Sequence, residues 1–297
     1  MVSAQSSSYA SLRSVARYVR QFRNKVFVVK LGGEVLSDPG IRRGVCEQLA
    51  LLASFSMRII VVHGGGNGLD SICASLDIPV EKRDGRRVTS PQVLDVAKMV
   101  FAGSVHMDLL AELRAAGMAC VGLTGVDAGL LHATRRPPVA LPDGGSTDFG
   151  LVGDITTVDP AILSHLLAGG YTPVVAPLSG DDDGAVYNTN ADTIAAALAG
   201  AVGAEKLFFM LKVPGVLRDV SNPSTLVPYA TVADLDAMVA DGSLAGGMLP
   251  KFAAIRAALA GGVRSAHLVS GLTADALLAE VFTNEGSGTM VVAEGRA

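Results

Sequence analysis

The run Val26-Phe27-Val28-Val29-Lys30-Leu31-Gly32-Gly33 is apolar, rich in β-branched residues and closed by two glycines. It is too short for a stable helix, and an unbroken apolar run of this length marks a strand buried on both faces. The pattern returns in Arg58-Ile59-Ile60-Val61-Val62, which ends in His63-Gly64-Gly65-Gly66, with helical spacing over residues about 40–55 between the two. Four further runs predict strands: Met118-Ala119-Cys120-Val121-Gly122-Leu123, Thr172-Pro173-Val174-Val175-Ala176-Pro177, Lys206-Leu207-Phe208-Phe209-Met210-Leu211 and Ser265-Ala266-His267-Leu268-Val269. Helices are predicted over residues about 68–76, from Ser90-Pro91 onward and from Asp192 to Leu198. Pro91 suits a first helical turn, where its missing N–H goes unused. Buried strands separated by helices imply an α/β, three-layer αβα sandwich with a mainly parallel central sheet. The Pro/Gly-rich stretch 132–158 predicts an antiparallel ribbon or flap, and no internal repeat or low-complexity tract is present.

Composition narrows the function. Of 297 residues 49% are apolar and 18% charged, which excludes a disordered chain. A net charge of −4 argues against a nucleic-acid partner, whose footprint would be basic. No apolar run reaches the length of a membrane span. Cys46, Cys73 and Cys120 form no CxxC and no disulfide framework, as expected of a reducing, cytoplasmic compartment. At the N-terminus a polar lead precedes Tyr9, Leu12, Val15, Ala16, Val19 and Phe22 at helical spacing, interleaved with Arg13, Arg17, Arg20 and Arg23, and the first acid is Glu34. This basic amphipathic helix is open to three readings: an organelle transit peptide, a plain capping helix, or an oligomer-forming helix whose stripe needs a partner.

Parallel sheets bind ligands at the carboxyl ends of their strands. Gly32-Gly33 and Gly64-Gly65-Gly66 stand there, either as structural turns or as places where backbone N–H groups approach an anion. A lysine at a strand end, Lys30, is costly unless it meets an anion or reaches the rim. Lys251 follows Gly246-Gly247-Met248-Leu249-Pro250, Arg87 lies in Gly85-Arg86-Arg87-Val88-Thr89, and Asn188-Thr189-Asn190-Ala191-Asp192 enters a helix. The Asn and Asp residues are helix caps or a richer polar site. No GxxxxGK[ST] loop is present, so the chain is no P-loop protein, and without a clean GxGxxG after the first strand it fits a Rossmann dinucleotide site poorly.

Taken in order, Lys30-Leu31-Gly32-Gly33, His63-Gly64-Gly65-Gly66, Gly85-Arg86-Arg87-Val88-Thr89, Asn188-Thr189-Asn190-Ala191-Asp192 and Gly246-Gly247-Met248-Leu249-Pro250-Lys251 resemble the amino acid kinase family, and within it the branch acting on N-acetyl-L-glutamate. The likeness runs from about residue 10 to 292. It implies the amino acid kinase fold and ATP-dependent phosphorylation of the side-chain carboxylate of N-acetyl-L-glutamate, an early step of arginine biosynthesis. The alternatives are another N-blocked acid of the aminoadipate type, or a catalytically silent arginine-binding regulator.

By that resemblance Lys30 and Lys251 neutralise the transferring phosphoryl group and Asp192 holds both lysines. Gly65, Gly66, Arg87 and Asn188 bind the acylamino acid, Arg87 on its α-carboxylate. Gly32, Gly33, Lys212 and Gly215 lie on the nucleotide or its phosphates, with Lys212 where the family usually has an acid. ATP is the phosphoryl donor, its Mg2+ held mainly by phosphates and by no protein ligand. The attacking carboxylate is ionised near pH 7, so no general base is needed and His63 is expected to pack or hydrogen-bond. The resemblance implies a tail and helix over 1–24, an acylamino-acid lobe over 25–178 and a nucleotide lobe over 179–297. His267, Glu280 and Gly286 resemble an arginine-binding segment. In that subgroup N-terminal helices interlace dimers into a hexameric ring; a simple dimer is the other expected state.

Overall fold

The computed structural model describes residues 13–83, 86–140 and 145–294. A helix over 13–22 (α1) leads into β1 (Val26–Leu31), α2 (Gly33–Ser37), α3 (Pro39–Ser54), β2 (Arg58–His63) and α4 (Gly66–Ser75). A two-stranded ribbon, β3 (Lys82–Arg83) and β4 (Arg86–Arg87), precedes α5 (Pro91–Met99) and α6 (Val105–Ala115). Next come β5 (Cys120–Thr124), β6 (Leu131–Arg135), β7 (Val139–Ala140), β8 (Ser146–Thr147), β9 (Gly153–Val158) and α7 (Ala161–Ala168). The chain continues through β10 (Thr172–Ala176), β11 (Leu178–Gly180), β12 (Val186–Asn188), α8 (Ala191–Ala201) and β13 (Lys206–Leu211). It closes with β14 (Tyr229–Thr231), α9 (Val232–Ala240), α10 (Met248–Ala260), β15 (Ser265–Ser270), α11 (Ala276–Phe282) and β16 (Thr289–Val292).

Eight strands form one sheet in the order β14-β16-β15-β13-β1-β2-β10-β5. All neighbours are parallel except β15 and β16, so β14 and β16 run against the other six. Every strand predicted from sequence lies in this sheet, with β1 at its centre between β13 and β2. The region expected as an antiparallel ribbon at 132–158 holds two antiparallel pairs, β6 with β9 and β7 with β8, and β6 and β9 also belong to a second sheet, β12-β11-β6-β9, in which β11 and β6 pair in parallel. The expected 178/179 lobe boundary falls inside β11, and the eight-stranded sheet runs through both lobes.

Alternation along each central strand builds two cores. Val28, Ile60, Val62, Leu207 and Phe209 pack with α8 and α10 on one face. Phe27, Val29, Ile59, Val61, Phe208 and Met210 pack with α1, α3, α6 and α11 on the other. Phe27, Phe208 and Phe209 are fully buried, each contributing about 2–3 kcal/mol. Lys30 shares the parity of Val28, which commits it to the face that α8 covers. Tyr18 and Phe22 of α1 are buried in the second core; Tyr9 and Leu12 of the expected stripe lie outside the described residues. The helix opened by Pro91 is interrupted at Val100–Ser104 by a π-helical turn with Gly103 at φ −113°, ψ −107°.

Candidate active site

Lys30 leaves the centre of the sheet beneath the N-terminus of α8. Asn190 caps that helix, its Oδ1 accepting from the N–H groups of Asp192 and Thr193 at 2.7 and 3.2 Å. The cap therefore falls to Asn190 and frees the Asp192 carboxylate. Asp192 Oδ1 meets Lys30 Nζ at 2.8 Å as an ion pair, and Oδ2 accepts from Lys251 Nζ at 3.2 Å. Lys251 comes from the first turn of α10, where Pro250 is tolerated for want of an intrahelical N–H role. Burial alone would raise the Asp192 carboxyl, but the two ammonium groups outweigh it and hold it below its ordinary value. One buried carboxylate thus holds two cations from distant parts of the chain at one point.

Beside this brace lies a cleft of about 860 Å³ lined by Gly65, Gly66, Arg87, Asn188, Ala191 and Pro250, among others. All four expected substrate-binding residues reach it. Gly65 must be small because a Cβ there would stand 2.8 Å from the Phe101 ring. Asn188 Nδ2 donates to Thr89 Oγ1 at 3.0 Å. Arg87 Nη2 donates to Gly66 O at 3.2 Å and to Asp70 Oδ1, while its buried Nε has no hydrogen-bond partner among the described residues. Nε is thus a guanidinium nitrogen that Gly66 and Asp70 leave unserved, and a buried donor of this kind calls for an acceptor.

The expected phosphate and nucleotide positions are more varied. Gly32 N–H already donates to Met210 O at 3.2 Å, whereas Gly33 opens α2, where a first-turn N–H has no intrahelical partner. Lys212 is exposed just past β13. Gly215 presses on Thr289, whose Oγ1 would lie 2.5 Å from an added Cβ, and it lines a small separate pocket of about 100 Å³. His63 is wholly buried, with Nδ1 2.7 Å from Gly64 O and Nε2 2.8 Å from His106 Nδ1. Burial pushes its pKa down to about 3, so it is a neutral hydrogen-bonding residue.

His267, Glu280 and Gly286 are brought together on the opposite face. His267 Nδ1 donates to Glu280 Oε1 at 2.6 Å, and the N–H groups of Ser287 and Gly288 donate to Oε2 at 2.7 and 3.0 Å. Gly286 holds φ +67°, and a Cβ there would stand 2.6 Å from Glu280 Oε2. Lys206, passed over in the sequence as a strand residue, places Nζ 2.9 Å from His267 Nε2 and 5.2 Å from the centre of the Phe22 ring. Burial lowers its pKa to about 8. The sequence also gave no sign of Asp70 or Phe101 as cleft residues; a charge one turn into α4, or a ring in the π-helical turn after α5, reads as ordinary amphipathic patterning.

Comparison with known proteins identifies the family. Residues 25–270 match the model of the amino acid kinase family. The chain is 62% identical over 291 residues to an acetylglutamate kinase of Myxococcus xanthus, covering 96% of this chain and 94% of that one. It is 40% identical to a chloroplastic acetylglutamate kinase of Arabidopsis thaliana, covering 92% and 77%. Among solved structures it resembles an N-acetylglutamate synthase of Neisseria gonorrhoeae complexed with coenzyme A and N-acetyl-glutamate, at TM-score 0.84 and 27% identity, covering 97% of this chain. The chain spans 64% of the length of that synthase. With the family model matched from β1 to the end of β15 and relatives at these identities, the chain belongs to the amino acid kinase family.

Proposed function

We propose that the protein transfers the γ-phosphoryl group of ATP to the side-chain carboxylate of N-acetyl-L-glutamate, an early step of arginine biosynthesis. The observation that carries this is the Lys30–Asp192–Lys251 brace beside a cleft in which Arg87 keeps an unpartnered donor. The names of the full-length relatives point the same way.

Arg87 takes the α-carboxylate and Asn188 a polar group of the acylamino acid, leaving the side-chain carboxylate at the brace. A carboxylate oxygen, ionised near pH 7, attacks the γ-phosphorus; the bond to the ADP oxygen breaks, and an acyl phosphate and ADP result. Lys30 and Lys251 spread their charge over the equatorial oxygens, where it is worth most in the transition state. Gly33 offers a backbone N–H to a phosphate oxygen. The Mg2+ that accompanies ATP would be held by phosphate oxygens, the hard ligands it prefers, and would help neutralise their charge.

Retention of all three charged residues favours an enzyme over a catalytically silent arginine-binding regulator. Arginine itself is proposed to bind where α1 meets the Lys206–His267–Glu280 cluster, and α1 to interlace dimers into a ring. A cytoplasmic location is proposed; among the described residues no helix is long and apolar enough to cross a membrane. ADP release with N-acetyl-L-glutamate, glutamate, N-succinylglutamate and aminoadipate tests the reading. N-acetyl-L-glutamate giving the highest kcat/KM is expected, and turnover of another acid in its place refutes it.

A further inference from the structure

We infer that Asp70 is a positioning residue: its carboxylate holds Arg87 and Lys82 together, and thereby aims the guanidinium that reads the substrate's α-carboxylate. The inference rests on the substrate assignment above.

Arg87 stands on the ribbon of β3 and β4, whose register contains just two pairs, Lys82 with Arg87 and Arg83 with Arg86. Both pairs set like charges directly opposite, which destabilises a strand pair. A ribbon this short has little stability of its own. Asp70, on the second turn of α4, reverses the repulsion in the first pair: Oδ2 accepts from Lys82 Nζ at 2.6 Å and Oδ1 from Arg87 Nη2. The same Nη2 reaches Gly66 O, at the start of α4. Arg87 is therefore tied to the body of the protein through one nitrogen, and its buried Nε is left over. Asp70, Lys82, Gly66 and Arg87 all line the cleft. The Asp70 carboxylate thus ties the ribbon to α4 through Lys82 and Arg87, and Arg87 itself reaches the Gly65–Gly66 turn through Gly66 O.

Charge and position make opposite demands here, which gives a test with a sign. If Asp70 acted as a nearby negative charge alone, Asp70→Asn would strengthen binding of a dianionic substrate. If it positions Arg87, the same variant weakens binding. The full-length parent, Asp70→Asn and Asp70→Glu are assayed with N-acetyl-L-glutamate and with its α-carboxamide, which keeps the reacting carboxylate. For Asp70→Asn, KM for the acid rises about tenfold or more, the scale of a compromised charge-assisted contact, while kcat and the KM for ATP stay within about threefold. The acid-to-amide ratio of kcat/KM falls by the same factor. In an Arg87→Ala background Asp70→Asn adds nothing.

A KM that falls, or an unchanged acid-to-amide ratio, overturns the inference. So does a joint loss of kcat and ATP affinity, which marks a general structural role. If Asp70→Asn does not fold, Asp70→Glu carries the test: its extra methylene displaces the guanidinium, and an unaltered ratio overturns the inference equally. A parent enzyme inactive on every N-acylated glutamate overturns the functional reading and this inference with it. An active parent with an indifferent Asp70 overturns the inference alone.

Discussion

Replacing Asp192 by asparagine keeps the shape of the side chain and removes the single negative charge between Lys30 and Lys251. At 2.8 and 3.2 Å the two attractions are each about 5–6 kcal/mol at an effective dielectric of ~20. Desolvation of the three groups offsets much of this, and breaking a buried ion pair from one side costs a net ~3–5 kcal/mol. Lys251 keeps 23% of its side chain exposed and can turn toward water, which favours the lower part of that range. Against a total stability of ~5–15 kcal/mol this is a large fraction, and for a chain of 297 residues Tm should fall by about 5–6 °C.

The loss has a pH signature. The folded Asp192 carboxyl lies below its ordinary value of 3.8, so its contribution is present above that value and fades as pH falls through the folded pKa. The gap in Tm between parent and Asp192→Asn is therefore full at pH 7 and narrows below about pH 4. MgATP should raise the Tm of the variant more than that of the parent, because phosphate oxygens replace the missing charge. Turnover falls about 100- to 1000-fold, since two lysines without their brace repel and leave the transition-state geometry. Thermal unfolding at several pH values and an ADP-release assay measure all of this. A variant with Tm within about 2 °C of the parent and kcat within tenfold would falsify the reasoning and make Asp192 an incidental first-turn acid.

Three other predictions address separate elements. Lys30→Ala and Lys251→Ala each lower kcat about 100-fold or more with modest change in either KM, as steady-state kinetics will show; near-parental turnover in either removes that lysine from the mechanism. His63, neutral in the fold with a pKa of about 3 against an unfolded 6.5, lets the unfolded state bind the extra proton between those values, so stability declines as pH drops from 6.5. The part due to His63 is ~2 kcal/mol at pH 5, and urea unfolding of His63→Gln at pH 7.5 and 5 should show a correspondingly shallower acid loss; an unchanged slope refutes the assignment. Deleting residues 1–14 spares the docked Tyr18 and Phe22 and should turn a ring into dimers with catalysis intact, as read by light scattering; a full-length protein that already runs as a dimer contradicts the ring.

The strands were legible because burial on both faces leaves a direct mark: a short β-branched run with no polar phase. The features that went unread have equally local causes. The Pro/Gly content of residues 132–158 announced a ribbon, and β6 and β9 do pair antiparallel, but the parallel partner β11 lies more than forty residues on from β6, and no local pattern announces it. The reversed edge strands β14 and β16 are three and four residues long, too short for periodicity to register. The π-helical turn at Val100–Ser104 sits inside an uninterrupted helical pattern and shows only as Gly103.

For the site, glycine turns and ordered motifs pointed to Gly65, Gly66, Arg87 and Asn188 of the cleft before any coordinate. By itself the sequence determined the α/β class and the central strand, because those follow from local pattern; Lys30, Arg87, Asn188, Asp192 and Lys251 were singled out by their motifs, and their roles came only from the resemblance those motifs carry. Only the tertiary structure decided that Asn190 rather than Asp192 caps α8, that Gly32 spends its N–H on Met210, that Asp70 bridges Arg87 and Lys82, and that Lys206 joins His267 and Glu280. Which carboxylate meets which cation depends on strand register and on the face each helix presents. Those are settled by packing between segments far apart in the chain: a one-residue slip of β1 would turn Lys30 away from α8 and leave every local pattern as it was.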